Sequence, residues 1–326
     1  MMRYHDVRYR VVDVVTMGYM AATGALVLLL GFGREAWLLH VLAHFAYVGF
    51  GLEVVRAQQQ RPDNRLLLIL RTFYPAFIII YGFFDVSRLQ ALISRDTFWA
   101  TDALADLDYA LFGTHPTVWI LRFKRPWLDE LVSLFNVSYY AMGFIFALPL
   151  LLRGRREEAW AGASIALFTY VVNYTLFILL PAVGPRMIPA IEALRGPQHT
   201  DGWLFAWIQT TLQGDQGAVR GNAFPSAHVS ASVAWAYATW RYHRGGPAAW
   251  LLTVLSLGTA FSTVYLGFHH AIDPIAGLLL GVACAWIGLK LIQRRGEDPL
   301  RDPPAARQAR GADTPSPPPA RSGPRG

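Results

Sequence analysis

Cysteine and charge are both scarce in this sequence. Its 326 residues include a single cysteine, Cys284, which lies within an apolar run. A lone cysteine forms no intramolecular disulfide and assembles no thiolate metal site. Charged residues make up 16% of the chain and hydrophobic residues 54%. This hydrophobic content exceeds what the core of a soluble protein of this size requires, and it indicates a polytopic membrane protein.

The net charge of +7 does not point to a nucleic-acid partner. The arginines fall mainly between apolar runs and near the carboxyl terminus, as the insertion of membrane helices places them. We therefore expect the lipid bilayer, and no nucleic acid, as the partner. The sequence gives no indication of the oligomeric state.

Eight apolar runs are each close to the ~20 residues that cross a bilayer. They lie at about 14–32, 36–55, 66–86, 130–152, 158–181, 225–241, 248–268 and 274–292. The first run is longer than a signal-peptide core and lacks a small-x-small cleavage site, so we predict that it is retained. The pattern predicts an all-α protein with about eight transmembrane helices.

The distribution of basic residues predicts the orientation of these helices. Cytoplasmic loops carry an excess of lysine and arginine. If the amino terminus is cytoplasmic, four basic clusters fall on the cytoplasmic side: Arg56/Arg61/Arg65, Arg153/Arg155/Arg156, Arg241/Arg244 and Lys290/Arg294/Arg295. We therefore expect an integral membrane protein of a bacterial inner membrane, with both termini cytoplasmic.

Two segments do not read as membrane spans. Residues 87–128 mix aromatic and charged residues, a composition typical of interfacial amphipathic helices on the outer leaflet. For Asp102, Asp106 and Asp108 in this segment, a solvated helix face is the simpler interpretation, and contact with a headgroup or cation is the alternative. Residues 294–326 are rich in proline and arginine and are predicted to form a disordered cytoplasmic tail.

The stretch "FPSAH", residues 224–228, opens the sixth run at the predicted outer face. Pro225 suits the first helical position, where its missing N–H costs nothing. The backbone N–H groups of Ser226, Ala227 and His228 are then expected to be unpaired at the positive end of the helix dipole. Such a helix terminus attracts anions, phosphate in particular.

The stretch "YLGFHHAID", residues 265–273, brings a second histidine to the same face. His269 and Asp273 are four residues apart, so the carboxylate can orient the imidazole as a nucleophile. His228 would protonate the leaving alcohol and later deprotonate the acceptor. We predict a phosphoryl-transfer site with His228, His269 and Asp273 as catalytic residues, and without a metal or another cofactor.

Phosphoryl transfer also needs fixed cations for the phosphate oxygens. Arg186, in "LLPAVGPRMIP", and Arg220, just before "GNAFPSAH", lie at the same predicted face. A guanidinium binds phosphate in a bidentate geometry. We predict that both arginines bind the substrate phosphate.

Taken together, "FPSAH" and "STVYLGFHHAID" resemble the second and third signatures of the type 2 phosphatidic acid phosphatase superfamily. The Y-L-x-x-H-x-x-x-D form is similar to the inositol phosphorylceramide synthase-like branch. The resemblance covers about residues 165–292 and implies a six-helix core with a metal-independent phosphohistidine mechanism on lipid phosphates. It implies His228 as acid and base, His269 as nucleophile, Asp273 as its partner, and Ser226 as a phosphate ligand.

Three departures bear on this resemblance. Thr263 follows Ser262 where the family's phosphatases usually carry arginine, a loss shared with the synthase-like branch. The lysine of the first signature is missing, since Val118 stands seven residues before Arg125; Arg186 is its substitute by location alone. Pro274 disfavours an α conformation at Asp273, which makes Asp273 a candidate cap of the last helix as well.

We therefore expect a membrane enzyme that transfers a phosphorylated headgroup from a lipid to a lipid alcohol at the extracytoplasmic face. The alternatives are a lipid phosphate phosphatase that uses water, a zinc site on His228, Asp273 and His269 or His270, a serine hydrolase on Ser226, and a non-enzymatic transporter or lipid-binding scaffold. The expected organisation is amino-terminal transmembrane helices (1–60), a catalytic membrane domain (61–293) and the tail (294–326). A structural role is predicted for His40, His44, His115, His199 and His243, and at most a headgroup contact for His270.

Overall fold

The computed structural model describes residues 7–95, 97–196, 202–208 and 221–301, which form a helical bundle. Its helices are α1 (Val11–Leu30), α2 (Trp37–Gln60), α3 (Arg65–Phe73), α4 (Phe77–Ile93), α5 (Thr101–Phe112), α6 (Pro116–Trp119), α7 (Pro126–Ser138), α8 (Met142–Leu152), α9 (Arg156–Leu179), α10 (Pro189–Arg195), α11 (Trp203–Trp207), α12 (Ala227–Tyr242), α13 (Pro247–Tyr265) and α14 (Ile272–Arg294). Within these ranges the only β-type pairing is an isolated bridge between Ala182 and Asn222. The predicted all-α class is confirmed.

Seven helical segments in the described part of the chain are long and apolar enough to cross a membrane. They are Val11–Leu30, Trp37–Gln60, Arg65–Ile93, Pro126–Leu152, Arg156–Leu179, Pro247–Tyr265 and Ile272–Arg294. The third joins α3 to α4 and the fourth joins α7 to α8, each through a short 3-10 turn. The protein is therefore a polytopic integral membrane protein.

Helix α12 corresponds to the sixth predicted span, but it has only 16 residues. It packs against α9, α13 and α14, which surround it. Gly277 and Gly281 of α14 permit close contact, because a Cβ atom at these positions would lie 2.7 and 2.6 Å from the carbonyl oxygens of Ser226 and Ser230. A helix enclosed by other helices does not have to span the hydrocarbon, so its length falls below that of the others.

At the end of the bundle where α12 and α14 finish, which we call the opposite end, the chain is packed where the sequence predicted a disordered tail. Arg10 pairs with Glu157 at 2.9 Å. Glu297 accepts hydrogen bonds from the backbone N–H of Val11 at 3.0 and 3.1 Å, and the buried Asp298 pairs with Arg241. Packing thus continues past residue 294, where we expected the tail to begin; residues 302–326 lie outside the described part.

Buried charges in the amino-terminal helices are paired. His44 and Asp85 are both fully enclosed, and His44 Nε2 lies 3.0 Å from Asp85 Oδ2. Asp13 of α1 accepts hydrogen bonds from Arg71 and Tyr74. Unpaired charge at membrane depth is costly, so such pairs fix how the helices pack. The pair of His44 and Asp85 thus joins α2 to α4.

The segment 87–128 contains the short helices α5 and α6 between two spans. Asp102 and Asp106 are exposed. Asp108 is fully buried, so the expectation of a solvated face, and the alternative of a headgroup contact, are both wrong for this residue. The reason is a contact with the start of α14, which is described below.

Candidate functional site

The predicted site residues meet at the end of the bundle where α12 and α14 begin, which we call the site end. His228 is the second residue of α12, His269 lies in the loop between α13 and α14, and Asp273 is the second residue of α14. The bridge between Ala182 and Asn222 joins the loop after α9 to the segment that leads into α12. Three separate parts of the chain thus form one site.

His269 is held through both ring nitrogens. Its Nδ1 lies 3.2 Å from Asp273 Oδ2, and its Nε2 lies 3.2 Å from Ser226 Oγ. Burial lowers the pKa of the His269 imidazole to about 3, so the ring is neutral at neutral pH. A neutral imidazole with a carboxylate on Nδ1 carries the proton on that nitrogen and leaves the Nε2 lone pair available.

His228 faces His269 across the site. The two ring centroids are 6.1 Å apart, with the ring planes inclined at 68°. Tyr139 packs against the other side of His228 at a centroid distance of 4.4 Å. Both imidazoles line the same cavity, so one phosphate group can contact both.

Asp273 connects the two signature motifs. Its Oδ2 also accepts the backbone N–H of His270 at 2.9 Å, and its carbonyl oxygen accepts the backbone N–H of Ser226 at 3.2 Å. The Ser226 N–H is therefore paired, contrary to our expectation. Asp273 also lies inside the first turn of α14 despite Pro274, so it is not the cap of that helix.

The start of α12 differs from the prediction in its register. Ser226 is the N-cap and the helix begins at Ala227, so Pro225 precedes the helix instead of occupying its first position. The peptide bond between Phe224 and Pro225 is cis. The N–H groups of Ala227 and His228 belong to the first turn, where backbone donors have no intrahelical acceptor. They remain the helix-terminal donors of the site.

Arg186 lies in a 3-10 turn, Pro185–Met187, and lines the cavity with the two histidines. Its Nη1 is buried and has no hydrogen-bond partner among the described residues. Its Cζ lies 5.1 Å from the centre of the Phe268 ring. Burial lowers the pKa of Arg186 to about 10, so the guanidinium stays charged at neutral pH. Arg220, the other predicted phosphate ligand, lies outside the described residues.

Thr263 does not replace the arginine that is usual at its position in the family's phosphatases. Its side chain is buried and donates to the carbonyl of Ala260 at 2.9 Å. Its carbonyl oxygen accepts the N–H groups of Phe268 and His269 at 3.0 and 3.1 Å. Thr263 therefore contributes to the site by fixing the loop that carries His269.

Asp108 is a residue of the site region whose role our sequence analysis missed. Its two carboxylate oxygens accept the backbone N–H groups of Ala271 and Ile272 at 2.9 and 3.0 Å, at the start of α14. It also lies 3.8 Å from Nδ1 of His270. Because 163 residues separate Asp108 from Ala271, no local spacing could have indicated this contact.

A zinc site on these residues was one of the alternatives. Within the described residues, no group of three or more histidine, cysteine, aspartate or glutamate side chains has an arrangement that could hold a metal ion. The Asp273 carboxylate is directed at His269 and at the N–H of His270 instead.

A cavity of about 930 Å³ extends from this site into the bundle. Apart from the site residues, mostly apolar and aromatic side chains of α4, α8 and α9 line it. A large apolar cavity with a few convergent polar groups at one place is the usual form of a small-molecule site. The polar groups at the site include those of Arg186, His228 and His269.

The fold and the site together define a helical integral membrane protein with a histidine–aspartate pair facing an apolar cavity. The family model described as PAP2 superfamily matches residues 102–287, which is more than half of the chain. The chain belongs to this superfamily. Its members are generally phosphatases, which supports an enzyme of the phosphatase kind.

Two curated relatives are similar at low identity. A PA-phosphatase related-family protein of Dictyostelium discoideum is 22% identical over 181 residues, 49% of this chain and 32% of the relative. The bacitracin transport permease protein BcrC of Bacillus licheniformis is 23% identical over 134 residues, 40% of this chain and 64% of the relative. The match thus spans about a third and just under two thirds of these relatives. No solved structure matches the chain.

Proposed function

We propose that this protein is a lipid phosphate phosphatase that works through a phosphohistidine on His269. The observation that carries the proposal is the orientation of His269: Asp273 binds Nδ1, while Nε2 lies beside Ser226 at the cavity that His228 also lines. Membership of the PAP2 superfamily supports the same reaction class.

The first step transfers the phosphoryl group to the protein. The Nε2 lone pair of His269 attacks phosphorus, and the bond from phosphorus to the ester oxygen breaks. Burial lowers the pKa of His228, and the negative charge of a bound phosphate ester favours the protonated ring again. His228 protonated in this way gives its proton to that oxygen, so the lipid alcohol leaves neutral. The imidazolium that forms on His269 is stabilised by the Asp273 carboxylate, which lies 3.2 Å away.

The second step releases the phosphate. His228, now neutral, takes a proton from a water molecule whose oxygen attacks phosphorus, and the bond between phosphorus and Nε2 breaks. In both steps Arg186 and the first N–H groups of α12 neutralise the phosphoryl oxygens. The unpartnered Nη1 of Arg186 supports this role, since a buried guanidinium beside a cavity favours an anionic ligand.

The apolar lining of the cavity supports a lipid ester as the substrate. We further propose that the site faces the extracytoplasmic side and that both described termini face the cytoplasm. Arg153, Arg155 and Arg241 at the opposite end of the bundle support this orientation, because cytoplasmic loops are enriched in arginine. A bacterial inner membrane would meet these requirements.

A second candidate is transfer of the phosphorylated headgroup to a lipid alcohol, as in inositol phosphorylceramide synthases. The buried Thr263 favours it, because the synthase-like branch also lacks the arginine of the third signature. Both candidates use His269 as the nucleophile and release a lipid alcohol. The phosphatase starts from a phosphomonoester and the transferase from a phosphodiester, and the acceptor that attacks the phosphohistidine is water in one and a lipid alcohol in the other.

Phosphoenzyme trapping tests the proposal. Purified protein is mixed with phosphatidic acid or a polyprenyl phosphate labelled with ³²P, and the reaction is stopped in alkali, in which phosphohistidine survives. We expect label on the wild type and on the His270→Gln control, and none on His269→Gln. Free phosphate as the product supports a phosphatase; a phosphorylated lipid alcohol, formed when that alcohol is added, supports the transferase. Folded wild type that neither takes up label nor turns over either ester would overturn the phosphatase. The transferase would be overturned if a ³²P-labelled phosphodiester lipid such as phosphatidylinositol, with a lipid alcohol added, also gave no label and no product.

A further inference from the structure

The cavity continues from the histidines toward the opposite end of the bundle. Tyr139 contacts His228, and its ring centroid lies 6.5 Å from that of Tyr170, so the histidines lie level with Tyr170 on α9. Below this level the cavity is lined by a single stripe of α9: Leu167, Ala163, Trp160 and Ala159. The stripe from Tyr170 to Ala159 covers about 16 Å at the helical rise of ~1.5 Å per residue.

Two further walls complete a groove. One is formed by α8, whose lining residues are Gly143, Phe144, Ala147 and Leu151. The other is formed by α3, α4 and the turn between them, with Phe73, Ala76, Ile79, Ile80 and Phe83 among its residues. Both α4 and α8 pack on α9. The segment from Tyr139 to Leu151, which ends in α8, gives a second estimate of the groove depth. At the same rise per residue it covers about 18 Å.

The edges of this groove are open to the surrounding lipid. Ile80 on one wall is 66% exposed and Phe144 on the other is 68% exposed, and both line the cavity. Large apolar side chains on both edges suit a path by which a hydrocarbon chain enters sideways from the bilayer. The α3–α4 wall lies before residue 102, outside the part of the chain that the family model matches.

The groove ends at a cluster of charged residues that are already paired. Arg71 lines its far end and is bound by the buried Asp13. Trp160 lies next to it, with Arg10 Cζ 4.1 Å above its ring. Because Asp13 neutralises Arg71, this end does not offer a second site for a phosphate group. The polar head of a ligand therefore belongs at His228 and His269, and the tip of its chain at the Arg71 end.

We propose that this groove binds one acyl chain of the lipid substrate and that the amino-terminal α3–α4 segment is the wall that selects chain length. The proposal rests on the proposed function, since the head of the ligand is the phosphate at the histidines. The groove depth matches the ~15 Å of one leaflet, half of the ~30 Å hydrocarbon core. Lipid outside the groove is as apolar as its walls, so packing along the chain, and not transfer from water, provides the selectivity.

Side chains enlarged in the lower groove test this inference. Ala147→Phe on α8 and Ala76→Phe in the turn between α3 and α4 narrow the groove from two separate walls, the second of which is the proposed selective wall. Leu148→Phe is the matched control, because Leu148 is adjacent to Ala147 but does not line the cavity and is 51% exposed. The probes are dipalmitoyl and dihexanoyl phosphatidic acid, assayed as mixed micelles with the purified full-length protein.

We expect kcat/KM for the dipalmitoyl lipid to fall about tenfold or more in both groove variants, and kcat/KM for the dihexanoyl lipid to stay within about twofold. Leu148→Phe should behave as the wild type with both lipids. Equal loss with both lipids, or no loss with either, would overturn the groove proposal. Absence of wild-type turnover on both lipids would instead count against the proposed function, so the two failures are distinguishable.

Discussion

At the scale of single residues, Asp273 links most of the site. One carboxylate oxygen contacts His269 and the N–H of His270, and the carbonyl of the same residue holds Ser226. The contact with His269 could be predicted from sequence, because residues four apart meet whenever the intervening chain turns. The contact between Ser226 and His269 joins residues 43 positions apart and required the fold. The pairing of the Ser226 N–H was missed for the same reason.

Asp273→Asn should lower kcat by about 10³-fold with little change in KM. The asparagine amide can donate to Nδ1 of His269, which would place the ring proton on Nε2 and remove the nucleophilic lone pair. The measurement is steady-state hydrolysis of phosphatidic acid together with the rate of phosphoenzyme formation. Asp106→Asn, at an exposed position of α5, is the control, and wild-type kcat in Asp273→Asn would contradict the assigned role.

At the scale of helices, the thickness of the membrane explains which helices could be predicted from the sequence. Seven of the eight apolar runs correspond to spans, because hydrocarbon thickness fixes the length of a crossing helix. Helix α12 escapes this rule because other helices surround it and it begins inside the protein, beside the loop that carries His269. The start of α12 was therefore predicted two residues too early, at Pro225.

Helix α5 supplies the side chain that caps the start of α14. Asp108 binds the first N–H groups of α14, directly between His269 and Asp273 in sequence. A carboxylate at this place neutralises the positive end of the helix dipole. It also fixes the position of the loop that carries His269 relative to the helix that carries Asp273.

Asp108→Ala should lower kcat about tenfold with KM nearly unchanged, and cost about 1–2 kcal/mol of stability. Both hydrogen bonds to α14 are lost, so Asp273 and His269 are held less firmly, whereas the phosphate ligands stay in place. Asp108→Asn keeps one acceptor oxygen and should recover part of kcat. Asp102→Asn on the exposed face of α5 is the control. Loss of stability without any change in kcat would show that Asp108 has no positioning role.

At the scale of the whole molecule, the two ends of the bundle differ in kind. The site end joins loops through backbone hydrogen bonds around the histidines. The opposite end is closed by ion pairs between distant helices, Arg10 with Glu157 and Arg241 with Asp298. Composition predicted a disordered tail from residue 294, but it could not reveal that Glu297 and Asp298 meet partners on other helices. Contacts of this kind depend on the packed bundle and leave no periodic signal.

Glu297 makes the stability of the molecule depend on pH. It binds the first N–H of α1, yet burial raises the pKa of its carboxyl above the ordinary 4.5. Below pH 4.5 both the folded and the unfolded protein carry the protonated acid. As the pH rises, the unfolded chain ionises first, so stability from this group is lost until the pH passes the raised pKa of the folded state.

Glu297→Gln should therefore match the wild type in thermal stability at about pH 4 and exceed it at about pH 8, by a few degrees in Tm. The amide keeps an acceptor for the Val11 N–H but carries no charge that burial would penalise. The measurement is thermal unfolding of both proteins in the same detergent at the two pH values. Turnover should be unchanged, because α12 runs about 20 Å from His228 to Tyr242, which contacts Asp298 next to Glu297. A variant less stable than the wild type at the higher pH would show instead that attraction between the carboxylate and the start of α1 outweighs the cost of burying it.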